Sequence, residues 1–264
     1  MAAKTLEGWI DALQARGRYT FLRAEAIAGS GLSAEGVKKA LQRLVERRRV
    51  VKVKDYFYVV VPLEYRNADG PPPSWFIHDL MGAMKLPYYV GLLSAAALHG
   101  ASHQQPQEFQ VVTDRSVRPL GVGQARIRFF ASKYIAQTHT VNMKTPTGSV
   151  RVSTPEMTTV DLVRFVKAAG QLDNVATVIA ELAPLIHAKP LLEAVRLSGH
   201  VPSAQRLGYL LDHVKARLLA DVLHEWVERQ SPGAVTLRLG RVMNGAKEDR
   251  RWHVLVDDPL EVEA

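Results

Sequence analysis

Along the first quarter of the chain the apolar positions repeat with a helical period three times and then switch to a strand period. Leu6, Trp9, Ile10 and Leu13 form the first stripe behind a capping Thr5, and it ends near Arg16-Gly17. Thr20 is expected to cap a short second helix over 21–28, with Leu22 and Ile27 inward, and Gly29-Ser30-Gly31-Leu32 supplies a turn. The third stripe is Val37, Ala40, Leu41, Leu44 and Val45, with Ser33 as its cap and Lys38, Lys39, Gln42, Arg43 and Arg47 on the other face. After Arg48 the runs 49–53 and 56–61 are β-branched and aromatic around the turn Lys54-Asp55, which predicts a hairpin. Three helices followed by a basic hairpin are the layout of a winged helix-turn-helix.

Residues 66–73 are polar and then proline-rich, cannot continue a helix, and are expected to lead into a second domain. Beyond them the pattern predicts a helix over 92–98, strands over 108–113 and 126–130, and a hairpin over 140–143 and 149–152 turned at 145–148. Thr154-Pro155-Glu156 places a cap, a proline at the first helical position and an acid in the first turn, so a helix starts there. From Leu172 to about Gln230 the period is helical throughout, with Ser203 expected to cap one piece, and strands over 235–239 and 252–256 close the chain. The expectation is an α+β fold: a winged helix-turn-helix over 1–66, a linker over 67–74, and a second region over 75–264. The part 75–169 of that region is mixed α/β and the part 170–264 mostly helical.

Charge sharpens this division. The chain of 264 residues carries a formal net charge of +8, and thirteen Lys/Arg face seven Asp/Glu through Arg66 against twenty-one facing nineteen in the remainder. The basic surplus therefore sits mainly in the winged unit, which suits a polyanionic partner there. With no cysteine, disulfides, thiolate metal sites and cysteine nucleophiles are excluded. No membrane span and no signal peptide is evident, so a soluble cytoplasmic protein is expected.

Set in a major groove, the third helix would present Ser33, Lys38, Lys39, Gln42 and Arg43 to bases or flanking phosphates. Arg47, Arg48 and Arg49 lie at the helix–hairpin junction, and Lys52, Lys54 and Tyr56 lie on the hairpin, where backbone or minor-groove contacts are expected. Double-stranded DNA is the partner these residues imply. Other chemistry finds less support. His99 and His103 are four apart but flank Gly100, and no glutamate completes a zinc-protease pattern. Asp221, His224 and Glu225 could share a helix face, which on a surface helix is an ordinary solvated cluster. Gly121-Val122-Gly123 lacks the third glycine and the Lys-Ser/Thr of a phosphate loop, and Gly-x-Ser-x-Gly is missing. No cofactor, metal or catalytic residue is expected.

The winged helix is followed by YYVGLLSAAALHGAS, QEFQVVT, VRVSTPEMTTVDLV, QRLGYLLDHV and a terminal RWHVLVDDP. In segment order and local wording, from about Leu6 to Pro259, the chain resembles the antitoxin of abortive-infection (AbiE-type) type IV toxin–antitoxin systems. The resemblance implies a winged helix that binds operator inverted repeats and represses its own two-gene operon, with the DNA role falling on the basic positions already named. It also implies a C-terminal region that counteracts a nucleotidyltransferase-like toxin, as a monomer or dimer on DNA, without assigning that role to single residues. Two other readings stay open at this point: a DNA-targeted nuclease or nucleotidyltransferase-like enzyme using acids such as Asp114 or Asp161, and a ligand-responsive winged-helix repressor without a toxin.

Overall fold

The computed structural model describes residues 5–101, 107–240, 245–257 and 260. The chain divides into two compact units, the first made of residues 1–89, 107–132 and 142–151, the second of residues 90–106, 133–141 and 152–264.

The first unit opens with α1 (Leu6–Gln14), β1 (Thr20–Leu22), α2 (Arg23–Ser30), α3 (Ala34–Glu46), β2 (Val50–Lys54) and β3 (Phe57–Val60). Thr5 caps α1 by accepting from the Gly8 amide at 3.2 Å, and Ser33 caps α3 by accepting from the Gly36 amide at 3.1 Å. The strands form an antiparallel sheet in the order β1-β3-β2. The apolar stripes meet in one core that includes Ile10, Phe21, Ala26, Val37, Leu41 and Tyr58. Trp9 stands edge-on to Phe21 at 5.3 Å, and Phe21 stacks on Tyr58 at 5.5 Å. Gly29 is required here, because a Cβ on it would lie 2.1 Å from Trp9 Nε1. This is the element order of a winged helix.

Two sequence expectations change in this region. Residues 20–22 are a strand and not the start of a helix: Thr20 is buried and donates to Asp79, and Glu25 takes the capping role by accepting from the Leu22 amide at 2.7 Å. Pairing with β3 gives the segment backbone partners that a local reading cannot see. Val45, counted into the buried stripe of α3, is 37% exposed.

Short 3-10 turns at Leu63–Ala68 and Pro73–Trp75 lead to α4 (Ile77–Met84), β4 (Tyr88–Val90), α5 (Leu92–Leu98), β5 (Phe109–Thr113), β6 (Leu120–Val122), β7 (Ala125–Ala131), β8 (Thr140–Thr145) and β9 (Gly148–Ser153). These strands make a sheet in the order β6-β7-β5-β4-β9-β8, most of it within the first unit. Strands β5 and β7 run parallel, and β6 and β7 are an antiparallel hairpin. Residues 67–74, expected as a linker, are held in place. The Gln124 amide donates to the Ala68 carbonyl at 3.1 Å, Gln124 Nε2 donates to the Asn67 carbonyl at 3.1 Å, and Gly70 and Pro71 are buried. Gly123 sits at φ 58°, and a Cβ there would lie 2.4 Å from the Asp69 carbonyl oxygen, so only glycine permits the approach.

The second unit is mainly helical: α6 (Pro155–Arg164), α7 (Gln171–Leu182), α8 (Ala188–Ser198), α9 (Val201–His213) and α10 (Arg217–Glu228), followed by β10 (Val235–Thr236), β11 (Lys247–Asp249) and β12 (Val254–Val256). Thr154 caps α6 as its sequence implies, accepting from the Met157 amide. Helix α9 starts three residues earlier than expected, and its cap is His200, whose Nδ1 accepts from the Ser203 amide at 3.2 Å, so Ser203 is the donor and not the cap. Strand β12 starts two residues later than expected because Trp252 leaves the sheet for the core, where it is fully buried and donates from Nε1 to Asp212 at 2.7 Å, and β10 ends at Thr236, three residues short of its expected span. Gly208 makes room for it: a Cβ there would lie 2.1 Å from the indole ring.

Candidate nucleic-acid interface

On α3 the helical period separates two faces. Val37, Leu41 and Leu44 are buried, while Lys38, Lys39, Gln42 and Arg43 are exposed. Among the described residues none of these four side chains makes an ion pair or hydrogen bond, so their full donor capacity faces solvent. Ser33, also named from the sequence, has its hydroxyl occupied by the Gly36 amide.

The three junction arginines are placed differently. Arg47 pairs with Glu7 at 3.5 Å and Arg48 with Asp69 at 3.1 Å, the latter from a backbone at φ 54°. Arg49 is the most enclosed of them and donates to Asp11 at 2.6 Å and to Gln14 at 3.3 Å. These contacts fasten the end of α3 to α1 and to the segment after the hairpin. They set the orientation of the helix.

Strands β2 and β3 turn at Asp55-Tyr56, one residue later than the sequence suggests, with Tyr56 exposed at the tip. Lys52 pairs with Asp55 at 3.2 Å, whereas Lys54, half-buried, makes no such contact among the described residues. Sequence reasoning missed Arg23. It is exposed at the first position of α2, and its amide donates to the Tyr56 carbonyl at 2.9 Å, which fixes it beside the wing. Burial pushes the Tyr58 hydroxyl above its ordinary range against the pull of Lys52 and Arg23, so both cations flank that ring. The missed signal was a basic residue at a helix start, hidden by setting that start two residues too early.

Elsewhere the flagged residues are engaged in structure. Asp114 is exposed, and its hydrogen bond to Arg115 at 2.9 Å holds its carboxyl below the usual range. Asp161 is fully buried on α6, in the other unit. His99 Nε2 lies 2.7 Å from the Ser153 carbonyl, and His103 is outside the described residues. Asp221 pairs with Arg251, Glu225 with Arg229, and His224 stands edge-on to Trp252 at 5.4 Å, so these three residues look to different neighbours. Among the described residues no helix is long and apolar enough to cross a membrane.

Residues 89–213 match the family model of the AbiEi antitoxin C-terminal domain. The chain is also similar in fold to the crystal structure of the RV2827C protein from Mycobacterium tuberculosis, with a TM-score of 0.68 at 12% sequence identity, covering 95% of this chain and 91% of that one. No curated protein matches the sequence.

Proposed function

We propose that this chain, whose residues 89–213 match the AbiEi antitoxin C-terminal domain, is the DNA-binding, autorepressing antitoxin of a type IV toxin–antitoxin pair active in abortive infection. The antitoxin role rests on the family. The DNA role is our reading of the winged unit, taken as residues 1–66, with 75–264 as the antitoxin region. In this reading Lys38, Lys39, Gln42 and Arg43 enter the major groove, Lys52, Lys54, Tyr56 and Arg23 engage the backbone or minor groove, and Arg47, Arg48 and Arg49 hold α3 at the angle it needs. The chain acts as a regulator and not a catalyst, and its functional counterpart is a nucleotidyltransferase-like toxin encoded beside it.

The observation that carries the DNA reading is the exposed row on α3 whose cations have no acidic partner among the described residues. A cation not already neutralised within its own chain is free to displace counterions from phosphate. The test is a titration of the protein against the DNA upstream of its own gene at two salt concentrations, with unrelated DNA as control. Tight binding that prefers its own upstream region and weakens with salt supports repression. Equal, weak binding to both DNAs would remove it. Co-expression with the neighbouring toxin tests the antitoxin half, because growth rescue separates an antitoxin from a repressor without a toxin.

A further inference from the structure

The turn between β6 and β7 reaches back to the segment that follows the wing, and through it to the end of α3. The Gln124 amide donates to the Ala68 carbonyl and Gln124 Nε2 to the Asn67 carbonyl, each at 3.1 Å. Gly123 lies so close to Asp69 that a Cβ would stand 2.4 Å from the Asp69 carbonyl oxygen. Asp69 in turn faces Arg48, with Oδ1 3.1 Å from Nη1. That oxygen is shut off from solvent and accepts no hydrogen bond of good geometry among the described residues, so the Arg48 guanidinium supplies its counter-charge. Both partners sit in the left-handed region without being glycine, Arg48 at φ 54° and Asp69 at φ 56°. For an arginine that conformation is uphill and persists only where neighbouring contacts hold it. Arg48 lies two residues past the last residue of α3. The Arg47 and Arg49 amides on either side of it donate to the Arg43 and Leu44 carbonyls at 3.0 and 2.9 Å. The relay is continuous and lies within the first compact unit: the β6–β7 turn fixes Asp69, Asp69 fixes Arg48, and Arg48 fixes where α3 ends.

We propose that Gly123 and Gln124 are positioning residues for DNA readout, setting through Asp69 and Arg48 the angle at which α3 presents Lys38, Lys39, Gln42 and Arg43. This rests on the DNA reading of α3 and extends it beyond residues 1–66, into the 89–213 segment that matches the antitoxin family model. Attraction to phosphate tolerates a tilted helix, whereas bidentate reading of a base edge does not. Arg48 acts from within the protein, because drawing its guanidinium away to a phosphate would strand the buried Asp69 oxygen. The charge of Asp69 separates positioning from plain electrostatics. An acid that merely stood near the interface would, once removed, leave attraction to every DNA stronger. An acid that holds α3 in place would, once removed, leave the operator complex weaker. The two signs are opposite.

The experiment compares the full chain with its Asp69→Asn, Gly123→Ala and Gln124→Ala variants. Asparagine tolerates a positive φ, so Asp69→Asn removes the charge and spares the backbone. Gly123→Ala forces the turn off Asp69, and Gln124→Ala removes one of its two bonds to the segment. Affinity is measured for the DNA upstream of the gene and for unrelated DNA, alongside hydrogen exchange at the Arg47 and Arg49 amides. In Asp69→Asn and Gly123→Ala the preference for upstream DNA should fall about tenfold, while binding to unrelated DNA holds or tightens. Gln124→Ala should lose less. Exchange at Arg47 and Arg49 should quicken, while the Val60 amide, bonded to the Tyr19 carbonyl, stays protected. Asp69→Asn decides the matter if Gly123→Ala fails to fold. An unchanged preference in Asp69→Asn, tighter binding of that variant to both DNAs, or unchanged exchange at both amides would each overturn the positioning role. A wild type without preference for its upstream DNA would remove the DNA reading and this role with it. A wild type that discriminates, beside variants that discriminate equally, removes the role alone.

Discussion

On α3, Lys38, Lys39 and Arg43 stand in solvent and make no ion pair among the described residues, whereas toward the C-terminus Arg206, Arg238 and Arg251 are each built into the fold. Arg238 makes two 2.8 Å bonds to Asp173, and Arg251 pairs with Asp212 and Asp221 while lying 5.4 Å from the centre of the Trp252 ring. The same kind of side chain thus does opposite work. Removing a C-terminal arginine strands a carboxylate or a carbonyl and costs stability, while removing an α3 cation strands nothing and costs only what an outside partner would have gained. Net charge cannot tell the two apart; the position of the acids can.

The sharpest way to break this comparison is at the C-terminal end. Trp252→Ala empties the space under Gly208 and leaves Asp212 without the indole donor, so unfolding free energy should fall by about 3–5 kcal/mol, measured by urea denaturation. A loss below about 1 kcal/mol would mean that the ring does not anchor α9. Substitutions on α3 should show the reverse signature. Lys39→Ala or Arg43→Ala should leave the urea midpoint unchanged and weaken operator binding by about 1–3 kcal/mol if the residue reads a base. If it touches only phosphate, the salt slope of binding should instead drop by about one, uniformly across sequences.

Arg49 tests the boundary between the two kinds of use. It was placed among the DNA-contacting residues by its position at the junction, but its guanidinium is turned to Asp11 and Gln14. Arg49→Ala should therefore cost about 1 kcal/mol of stability, with Asp11 half of the pair exposed and screened. Its effect on DNA affinity should be smaller than that of Arg43→Ala. The opposite ranking would return Arg49 to the interface.

These contrasts also mark what a sequence can disclose. The capped helices were legible because Thr5, Ser33 and Thr154 sit directly ahead of helical stripes or a proline start, and all three side chains accept the bonds their positions imply. Strands β1 and β4 span three residues each, too few for any period to register, and they exist because β3 and β9, distant in sequence, pair with their backbone. The exposed row on α3 follows from its period. That Arg47, Arg48 and Arg49 are engaged does not, because Glu7, Asp11 and Asp69 are brought to them only by folding. The burial of Arg206 was hidden for the same reason: its bonding partner at Thr236 is 30 positions away.

The smallest effect expected sits at the cap of α9. His200 Nδ1 can accept from the Ser203 amide only while the ring is neutral, and burial together with Arg206 and Arg164 favours that form. The native pKa is thus below the unfolded value near 6.5. Above that value the ring is neutral in both states and the cap contributes fully. As the pH falls through it, the unfolded chain takes up a proton that the native chain resists, so stability declines until the native ring titrates as well. After allowance for solvent screening the loss should amount to a few tenths of a kcal/mol between pH 7.5 and 5.5. His200→Asn keeps an acceptor at the cap without a titrating group, so subtracting its stability profile from that of the wild type should isolate this slope. Parallel profiles would show that His200 titrates alike in both states, and with it would go the claim that Arg206 and Arg164 set the charge of this turn.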